Sequence, residues 1–261
     1  MSQPLLSVSG LSVVFGGLLA LNDLDFTIMK GQIVGLIGPN GAGKTTAFNA
    51  ITGRIKPSSG TILFKGTDIT GWPPFRIALF GITRTFQSIK LYDDLTVLEN
   101  VMVAAHATIR YSFLEAMIGL GRYAGDEKRI RTESYELLDI VGLEDYAMEK
   151  SGALPYGSQR RLEVARALAL RPSLLLLDEP VAGMNPMETM DFVNVINRLN
   201  KEMGLSIAVI DHDMKFVMNV CHMIRVIDHG VPIAWGAPQE VSQDERVLAA
   251  YLGQGRAIEG A

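Results

Sequence analysis

The stretch from Gly38 to Thr46 reads Gly-Pro-Asn-Gly-Ala-Gly-Lys-Thr-Thr, and it constrains the fold more than any other part of the chain. It follows the largely apolar run 32–37 and precedes the stretch 47–51, which predicts a strand, a glycine-rich turn and a helix. Such a turn lets backbone N–H groups surround a phosphate, while Lys44 adds positive charge and Thr45 offers Mg²⁺ a hydroxyl. A glycine-rich surface turn would not require these flanks. We therefore predict a nucleoside triphosphate site at Gly38, Pro39, Asn40, Gly41, Ala42, Gly43, Lys44, Thr45 and Thr46.

Charge and cysteine content indicate which partners and which cellular compartment to expect. The chain has 261 residues and a formal net charge of −4, with no block of like charges, so nucleic acid is not expected as a partner. The single cysteine, Cys221, excludes an internal disulfide, and its apolar neighbours predict a buried residue in a reducing compartment. We expect neither a signal peptide nor a membrane span, since no apolar run reaches about 18 residues. Any link with a membrane would then go through a partner.

The remaining patterns predict two kinds of layer around the phosphate loop. Alternating stretches within 5–30, and a strand at 61–65, predict an antiparallel layer beside a main sheet. Nearly continuous apolar runs are typical of buried parallel strands. The runs that predict strands of the main sheet are 173–177, 205–210 and 224–227, with a further strand at 82–86.

Most of the remaining chain has apolar residues at helical spacing. From residue 88 to 165 it predicts a helical subdomain inserted into the nucleotide-binding fold, with helices interrupted at Gly119, Gly121 and Gly125. Asn185, Pro186 and Glu188 form the capping-box pattern that begins a helix. The other predicted helices are 75–80, 160–170 and a last one at 239–253, before a loose tail.

Two acidic residues and a histidine follow predicted strands of the main sheet. Asp178, at the tip of a buried strand, is suited to hold Mg²⁺, and its neighbour Glu179 is suited to orient or deprotonate a water molecule. Two surface acids at a strand end are the plainer interpretation. His212 is expected at the same edge of the sheet, where it would reach a γ-phosphate, although a lone histidine is often structural. Phe15 likewise has two interpretations: its ring is part of the core, or it stacks on a nucleotide base.

The order and spacing of these motifs resemble the ATP-binding subunits of ABC transporters over nearly the whole chain. The run 84–87 resembles the glutamine loop, and the run 154–161 stands where the ABC signature belongs, about twenty residues before the acidic pair. The run 182–186 resembles the D-loop, and His212 resembles the switch histidine.

The resemblance implies an α/β fold. It comprises a P-loop NTPase (RecA-like) core with a mainly parallel sheet, an antiparallel β subdomain and an inserted helical subdomain. We expect the core and the antiparallel subdomain in 1–87 and 166–238, the helical subdomain with the signature in 88–165, and a C-terminal helix and tail in 239–261.

The same resemblance implies a role for each site residue. Phe15 would stack on adenine, and Lys44 would hold the β and γ phosphates. Thr45 and Asp178 would hold Mg²⁺, while Gln87 would contact the metal and the attacking water. Glu179 would act as the catalytic base and His212 would hold the γ-phosphate.

In this family two subunits meet head to tail, so that each ATP lies between one phosphate loop and the partner's signature. The signature residues are Leu154, Pro155, Tyr156, Gly157, Ser158 and Gln159. The D-loop residues are Ala182, Gly183, Met184 and Asn185.

The signature departs from the common Leu-Ser-Gly-Gly-Gln pattern. Pro155 replaces the serine whose hydroxyl would contact the opposite γ-phosphate, which leaves the Gly157 N–H and the Ser158 hydroxyl as donors. The Pro-Tyr-Gly run resembles the branched-chain amino acid importer subfamily, in which glutamine usually stands at position 158. We therefore expect a slower but active ATPase.

The resemblance thus implies an ATPase, with ATP and Mg²⁺ as cofactors, that powers an importer of branched-chain amino acids at the cytoplasmic face of the inner membrane. It implies a second ATP-binding subunit, identical or different, membrane permease subunits and, indirectly, a substrate-binding protein. The alternatives are a urea or amide importer, a lipopolysaccharide exporter, and a soluble ABC protein of translation or DNA repair. A degenerate cassette that binds ATP as a structural partner is a further alternative. The presence of Lys44, Asp178, Glu179 and His212 argues against it.

Overall fold

The computed structural model describes residues 3–85, 88–108 and 122–255. Its strands, in chain order, are β1 (Leu6–Phe15), β2 (Leu18–Ile28), β3 (Ile33–Ile37), β4 (Ser59–Phe64), β5 (Thr67–Asp68), β6 (Ile82–Arg84), β7 (Leu174–Asp178), β8 (Ser206–Ile210), β9 (Met223–Asp228) and β10 (Val231–Gly236). Its helices are α1 (Lys44–Ile51), α2 (Pro74–Phe80), α3 (Val97–Ala105), α4 (Arg122–Ile140), α5 (Tyr156–Leu168), α6 (Pro186–Met203), α7 (Met214–Val220), α8 (Pro238–Gln243) and α9 (Glu245–Gly255). Short 3-10 turns lie at His106–Thr108, Glu144–Tyr146 and Ser151–Ala153.

The strands form two sheets, as the sequence predicts. The antiparallel sheet has the order β2-β1-β4-β5, and the main sheet has the order β10-β9-β3-β8-β7-β6. Among the described strands of the main sheet, β10 alone pairs antiparallel, along β9. The strands β3, β7 and β8 are buried at every position, because both faces of the sheet are covered.

Alternate side chains of the main sheet enter two separate cores. Ile33 and Ile37 of β3 pack among the helices α3 to α7, whereas Val34 and Leu36 pack between the main sheet, α1 and the antiparallel sheet. A period of two residues produces this division, since successive side chains of a strand point to opposite faces. The carboxyl ends of the parallel strands remain at one open edge, which is where ligands bind in sheets of this type.

Several predicted boundaries are wrong. The sequence predicts two short strands at 6–9 and 11–15, but β1 is continuous, because Gly10, at φ +60°, absorbs an irregularity in its register with β2. Helix α4 runs through Gly125, which costs a helix only about 1 kcal/mol relative to alanine. The predicted last helix is two helices, α8 and α9, with Asp244 in an extended conformation between them. Gly119 and Gly121 lie outside the described residues.

Two other predictions of local structure are confirmed, the capping box at Asn185 and the burial of Cys221. The Asn185 side chain accepts hydrogen bonds from the Met187 and Glu188 N–H groups, which completes the predicted capping box of α6. Cys221 is buried, and burial raises the pKa of its thiol to about 12. Within 3–85, 88–108 and 122–255, no helix is both long and apolar enough to cross a membrane.

Candidate nucleotide site

The phosphate loop joins the end of β3 to the start of α1. A Cβ at Gly38 would stand 1.9 Å from the carbonyl oxygen of Ile227, and one at Gly43 would stand 2.7 Å from that of Ala20. Both residues also have positive φ angles, +152° and +100°, so only glycine fits this backbone. The curvature of the loop is therefore built into its sequence.

The side chain of Lys44, the first residue of α1, extends back into this loop. Its Nζ donates hydrogen bonds to the carbonyl oxygens of Gly38, at 2.6 Å, and of Pro39, at 2.8 Å. Burial lowers the pKa of Lys44, and the carboxylates of Glu179, Asp178 and Asp211 partly oppose that shift. The loop thus surrounds a cation that has three carboxylates nearby.

A cavity of about 200 Å³ lies against the loop and reaches Glu179. Its lining residues are Ala20, Asn40, Gly41, Ala42, Gly43, Lys44, Thr45, Thr46 and Glu179. Thr45 is exposed in the first turn of α1, where backbone N–H groups have no intrahelical partner. The loop and Glu179, which lie far apart in sequence, therefore line one space.

Asp178 ends β7 inside the protein rather than on its surface. Its Oδ2 lies 2.6 Å from Nη2 of Arg84, and the two side chains are only 7% and 6% exposed. The same guanidinium donates from Nη1 to Oδ1 of Asn49 on α1, at 2.7 Å. The interpretation of 178 and 179 as two surface acids is thus wrong for Asp178, and the sequence gives no sign of its pairing with Arg84.

Glu179 follows Asp178 in an unusual backbone conformation. Its φ angle is +48°, which is rare for a residue with a side chain, and its N–H donates to the carbonyl of Ile210 at 2.7 Å. Asp178 and Ile210 are register partners in the parallel pair β7 and β8, so the two strands end side by side. The turn after β7 thereby directs Glu179 toward the phosphate loop.

The residues after β8 complete this edge of the sheet. Asp211 is fully buried, and its Oδ1 accepts a hydrogen bond from the Asp213 N–H at 2.8 Å. Burial raises the pKa of Asp211, although the N–H groups of Asp213 and Val181 oppose the shift. The His212 side chain is 62% exposed, and its Nδ1 lies 3.8 Å from Asp211 Oδ1. His212 is thus an accessible ring at the sheet edge rather than a core histidine.

Phe15 stands at the tip of the β1–β2 hairpin. Its residue is 45% exposed, so the interpretation as a core aromatic is wrong. The same hairpin approaches the phosphate loop through the Ala20 carbonyl, which lies close to Gly43. The stacking role of Phe15 remains a prediction, and Gln87 lies outside the described residues.

The signature segment begins helix α5, with Pro155 at the N-cap and no side-chain cap. The Gly157 N–H points to Glu188 Oε1 at 3.4 Å. Ser158 is 7% exposed, and its hydroxyl accepts a hydrogen bond from Arg161 at 3.0 Å. The Gly157 N–H thus faces a side chain of α6, while the Ser158 hydroxyl is held by an arginine of its own helix.

The D-loop lies directly beside this segment. Ala182 accepts a hydrogen bond from the Tyr156 hydroxyl at 2.9 Å, and a Cβ at Gly183 would stand 3.4 Å from the Tyr156 ring. Met184 packs against the helical core, and Asn185 caps α6. Signature and D-loop therefore form one surface.

The sequence of this chain is similar to those of known ATP-binding proteins. Residues 21–182 match the ABC transporter family, and residues 232–257 match the branched-chain amino acid ATP-binding cassette transporter family. BraF of Pseudomonas aeruginosa, a high-affinity branched-chain amino acid transport ATP-binding protein, is 42% identical, covering 97% of this chain and 100% of BraF. LivG of Escherichia coli K12, described in the same words, is 41% identical with the same coverage. LptB of Haemophilus influenzae, the lipopolysaccharide export system ATP-binding protein, is 34% identical over 90% of this chain and 91% of its own.

Solved structures share the fold at nearly full length. The ADP conformation of MJ1267, an ATP-binding cassette of an ABC transporter, matches with a TM-score of 0.84 at 29% identity and covers 97% of this chain and 100% of MJ1267. A nucleotide-free ATP-binding cassette from an ABC transporter matches with a TM-score of 0.82 at 28% identity, with coverages of 95% and 99%.

Proposed function

This chain belongs to the ABC transporter family, and from that premise we propose that it hydrolyses ATP to drive an importer of branched-chain amino acids. The observation that carries the ATPase role is the shared cavity, in which Glu179 faces the phosphate loop and Lys44. The cargo is inferred from BraF and LivG, and from the match at 232–257.

The phosphate loop would hold the triphosphate. Backbone N–H groups of the loop and the first turn of α1 would donate to the β and γ phosphates. Lys44 would exchange its hydrogen bonds to the Gly38 and Pro39 carbonyls for bonds to phosphate oxygens. Phe15, exposed on the neighbouring hairpin, would stack on the adenine ring.

The oxygen donors at this edge fit Mg²⁺. Thr45 offers an exposed hydroxyl, and Asp178 offers a carboxylate whose Oδ2 is fixed by Arg84, so that its orientation is set before a metal arrives. Gln87 would be a further oxygen donor. When bound, Mg²⁺ supplies the positive charge that neutralises the phosphate oxygens during phosphoryl transfer.

Hydrolysis would proceed by in-line attack of water on the γ-phosphorus. The Glu179 carboxylate would accept the water proton as a new P–O bond forms and the bond to the β-phosphate oxygen breaks. His212, at the same edge, would donate a hydrogen bond to the γ-phosphate. A partner cassette would close the site with its own residues 154–159.

The assembly would lie at the cytoplasmic face of the inner membrane. Membrane permease subunits and a second ATP-binding subunit would complete the transporter, and a binding protein would deliver the cargo. A lipopolysaccharide exporter is the second candidate function, because LptB is also similar. The C-terminal match at 232–257 favours amino acid import.

Uptake of labelled leucine, isoleucine and valine, in cells that lack the gene for this chain, tests the proposal. We expect the wild-type chain to restore uptake of these amino acids, while Glu179→Gln, produced at the same level, does not. Uptake of labelled urea serves as the internal comparison. Restoration of urea uptake alone, or restored amino acid uptake with Glu179→Gln, would contradict the proposed function.

A further inference from the structure

Helix α5 carries a buried ion pair directly behind the signature segment. Arg160 Nη1 lies 3.2 Å from Glu163 Oε2, and both side chains are 5% exposed. A buried ion pair is often no more stable than a well-packed apolar pair of similar size, so stability alone does not explain its presence. Its hydrogen bonds point to another role.

The arginine of this pair holds the tyrosine of the signature. Nη2 and Nε of Arg160 donate to the Tyr156 hydroxyl oxygen at 2.9 Å and 3.2 Å. The Tyr156 hydroxyl in turn donates to the carbonyl of Ala182 in the D-loop, at 2.9 Å. This hydroxyl thus accepts two hydrogen bonds and donates one, which is close to its full capacity.

The glutamate of the pair reaches a third loop. Glu163 Oε1 accepts a hydrogen bond from the backbone N–H of Lys90, at 3.0 Å. Residue 90 follows the predicted glutamine loop by three positions. Burial raises the pKa of Glu163, while the Lys90 N–H and the Arg160 guanidinium oppose that shift.

We propose that Tyr156, Arg160 and Glu163 are positioning residues that fix the D-loop, the signature and the segment after the glutamine loop as one rigid surface. This proposal rests on the proposed function, in which that surface faces the ATP of a partner cassette. The ring of Tyr156 lies at the surface, while its hydroxyl forms hydrogen bonds within its own chain. The signature lacks the usual serine, and this internal network of hydrogen bonds fixes the surface on which it lies.

Tyr156→Phe is the sharpest test, because it removes one hydroxyl from an exposed residue and leaves the ring. We expect turnover of MgATP by the assembled transporter to fall about two- to tenfold, as loss of such a hydrogen bond implies. The affinity of the chain for a fluorescent ATP analogue should stay unchanged, since the phosphate loop is intact. A merely structural role would not separate the two readouts.

Hydrogen exchange of the isolated chain provides a readout that does not depend on ATP hydrolysis or cargo. In Tyr156→Phe the amides of 181–185 should exchange faster, while those of β7 and β8 keep their protection. Tyr135→Phe is the matched control, because its hydroxyl donates to the Met148 sulfur, at 3.7 Å, at an exposed position, and it should change neither readout.

A double-mutant cycle tests whether the residues act together. Tyr156→Phe and Glu163→Gln both act through Arg160, so the combined loss of turnover should be smaller than the product of the separate losses. Unchanged exchange at 181–185 together with wild-type turnover in Tyr156→Phe would overturn the positioning role. Faster exchange in a protein that fails the uptake test would instead keep the network and reject the proposed function.

Discussion

Nη2 of Arg84 lies 2.6 Å from Oδ2 of Asp178, in an ion pair that is almost completely buried. These residues are 94 positions apart in the chain, and the pair joins the ends of two neighbouring parallel strands. Through Asn49 the same guanidinium also holds the helix that follows the phosphate loop. Arg84 therefore sets the orientation of the carboxylate that we assign to Mg²⁺.

We expect Arg84→Ala to destabilise the folded chain by about 3–5 kcal/mol, because it leaves the buried Asp178 carboxylate without its cation. Urea unfolding of the nucleotide-free chain measures this change. Arg246→Ala is the matched control, since its pair with Asp244 is exposed and its loss should have little effect. Equal stability of Arg84→Ala and the wild type would contradict the structural role of the pair.

Replacement of Pro155 tests the signature. Pro155→Ser restores a hydroxyl at the N-cap of α5, where it would face the γ-phosphate bound by a partner, so turnover should rise about tenfold. Stability should change by less than about 1 kcal/mol, because the gain of a cap offsets the loss of a rigid proline. Pro155→Ala, which has no hydroxyl, is the control and should keep the wild-type turnover. The same turnover in all three proteins would refute the expectation of a slowed ATPase.

The buried Lys44 should make stability depend on pH. Its pKa in the folded chain lies below the ordinary value of 10.5, so between these values the unfolded chain binds more protons. The free energy of unfolding of the nucleotide-free wild type should therefore rise with pH across that window, relative to Lys44→Met. Lys44→Arg, whose side chain does not titrate there, should behave like Lys44→Met. Urea unfolding at neutral pH and at pH values approaching 10.5 measures the effect, and parallel curves would contradict it.

The parts of the fold that depend on local pattern could be predicted from the sequence. Fully apolar runs gave β7 and β8 because both faces of the main sheet are covered, and the capping box at Asn185 fixed the start of α6. Helix α5 begins at Tyr156, four residues before its predicted start, because its N-cap is a proline that makes no side-chain hydrogen bond. Strand β10 was missed since Pro232 argues against a strand, although proline is tolerated on an edge strand such as this one.

The parts of the site that depend on distant pairing could not be predicted. The placement of Asp178, Glu179 and His212 at one edge of the main sheet could be predicted, because they follow or end neighbouring parallel strands, β7 and β8. Nothing in the local sequence reveals that Arg84 pairs with Asp178 or that Tyr156 binds the D-loop, since these contacts exist only once the strands and helices are assembled.

The turnover of MgATP by Glu179→Gln, compared with the wild type in the assembled transporter, tests the central claim most directly. If Glu179 accepts the proton of the attacking water, turnover should fall by about 100- to 10,000-fold. ATP should remain bound and intact, because the residues that hold its phosphates are unchanged, and the two cassettes should stay associated around it. Wild-type turnover by Glu179→Gln would contradict the assignment of Glu179, and with it the proposed mechanism of hydrolysis.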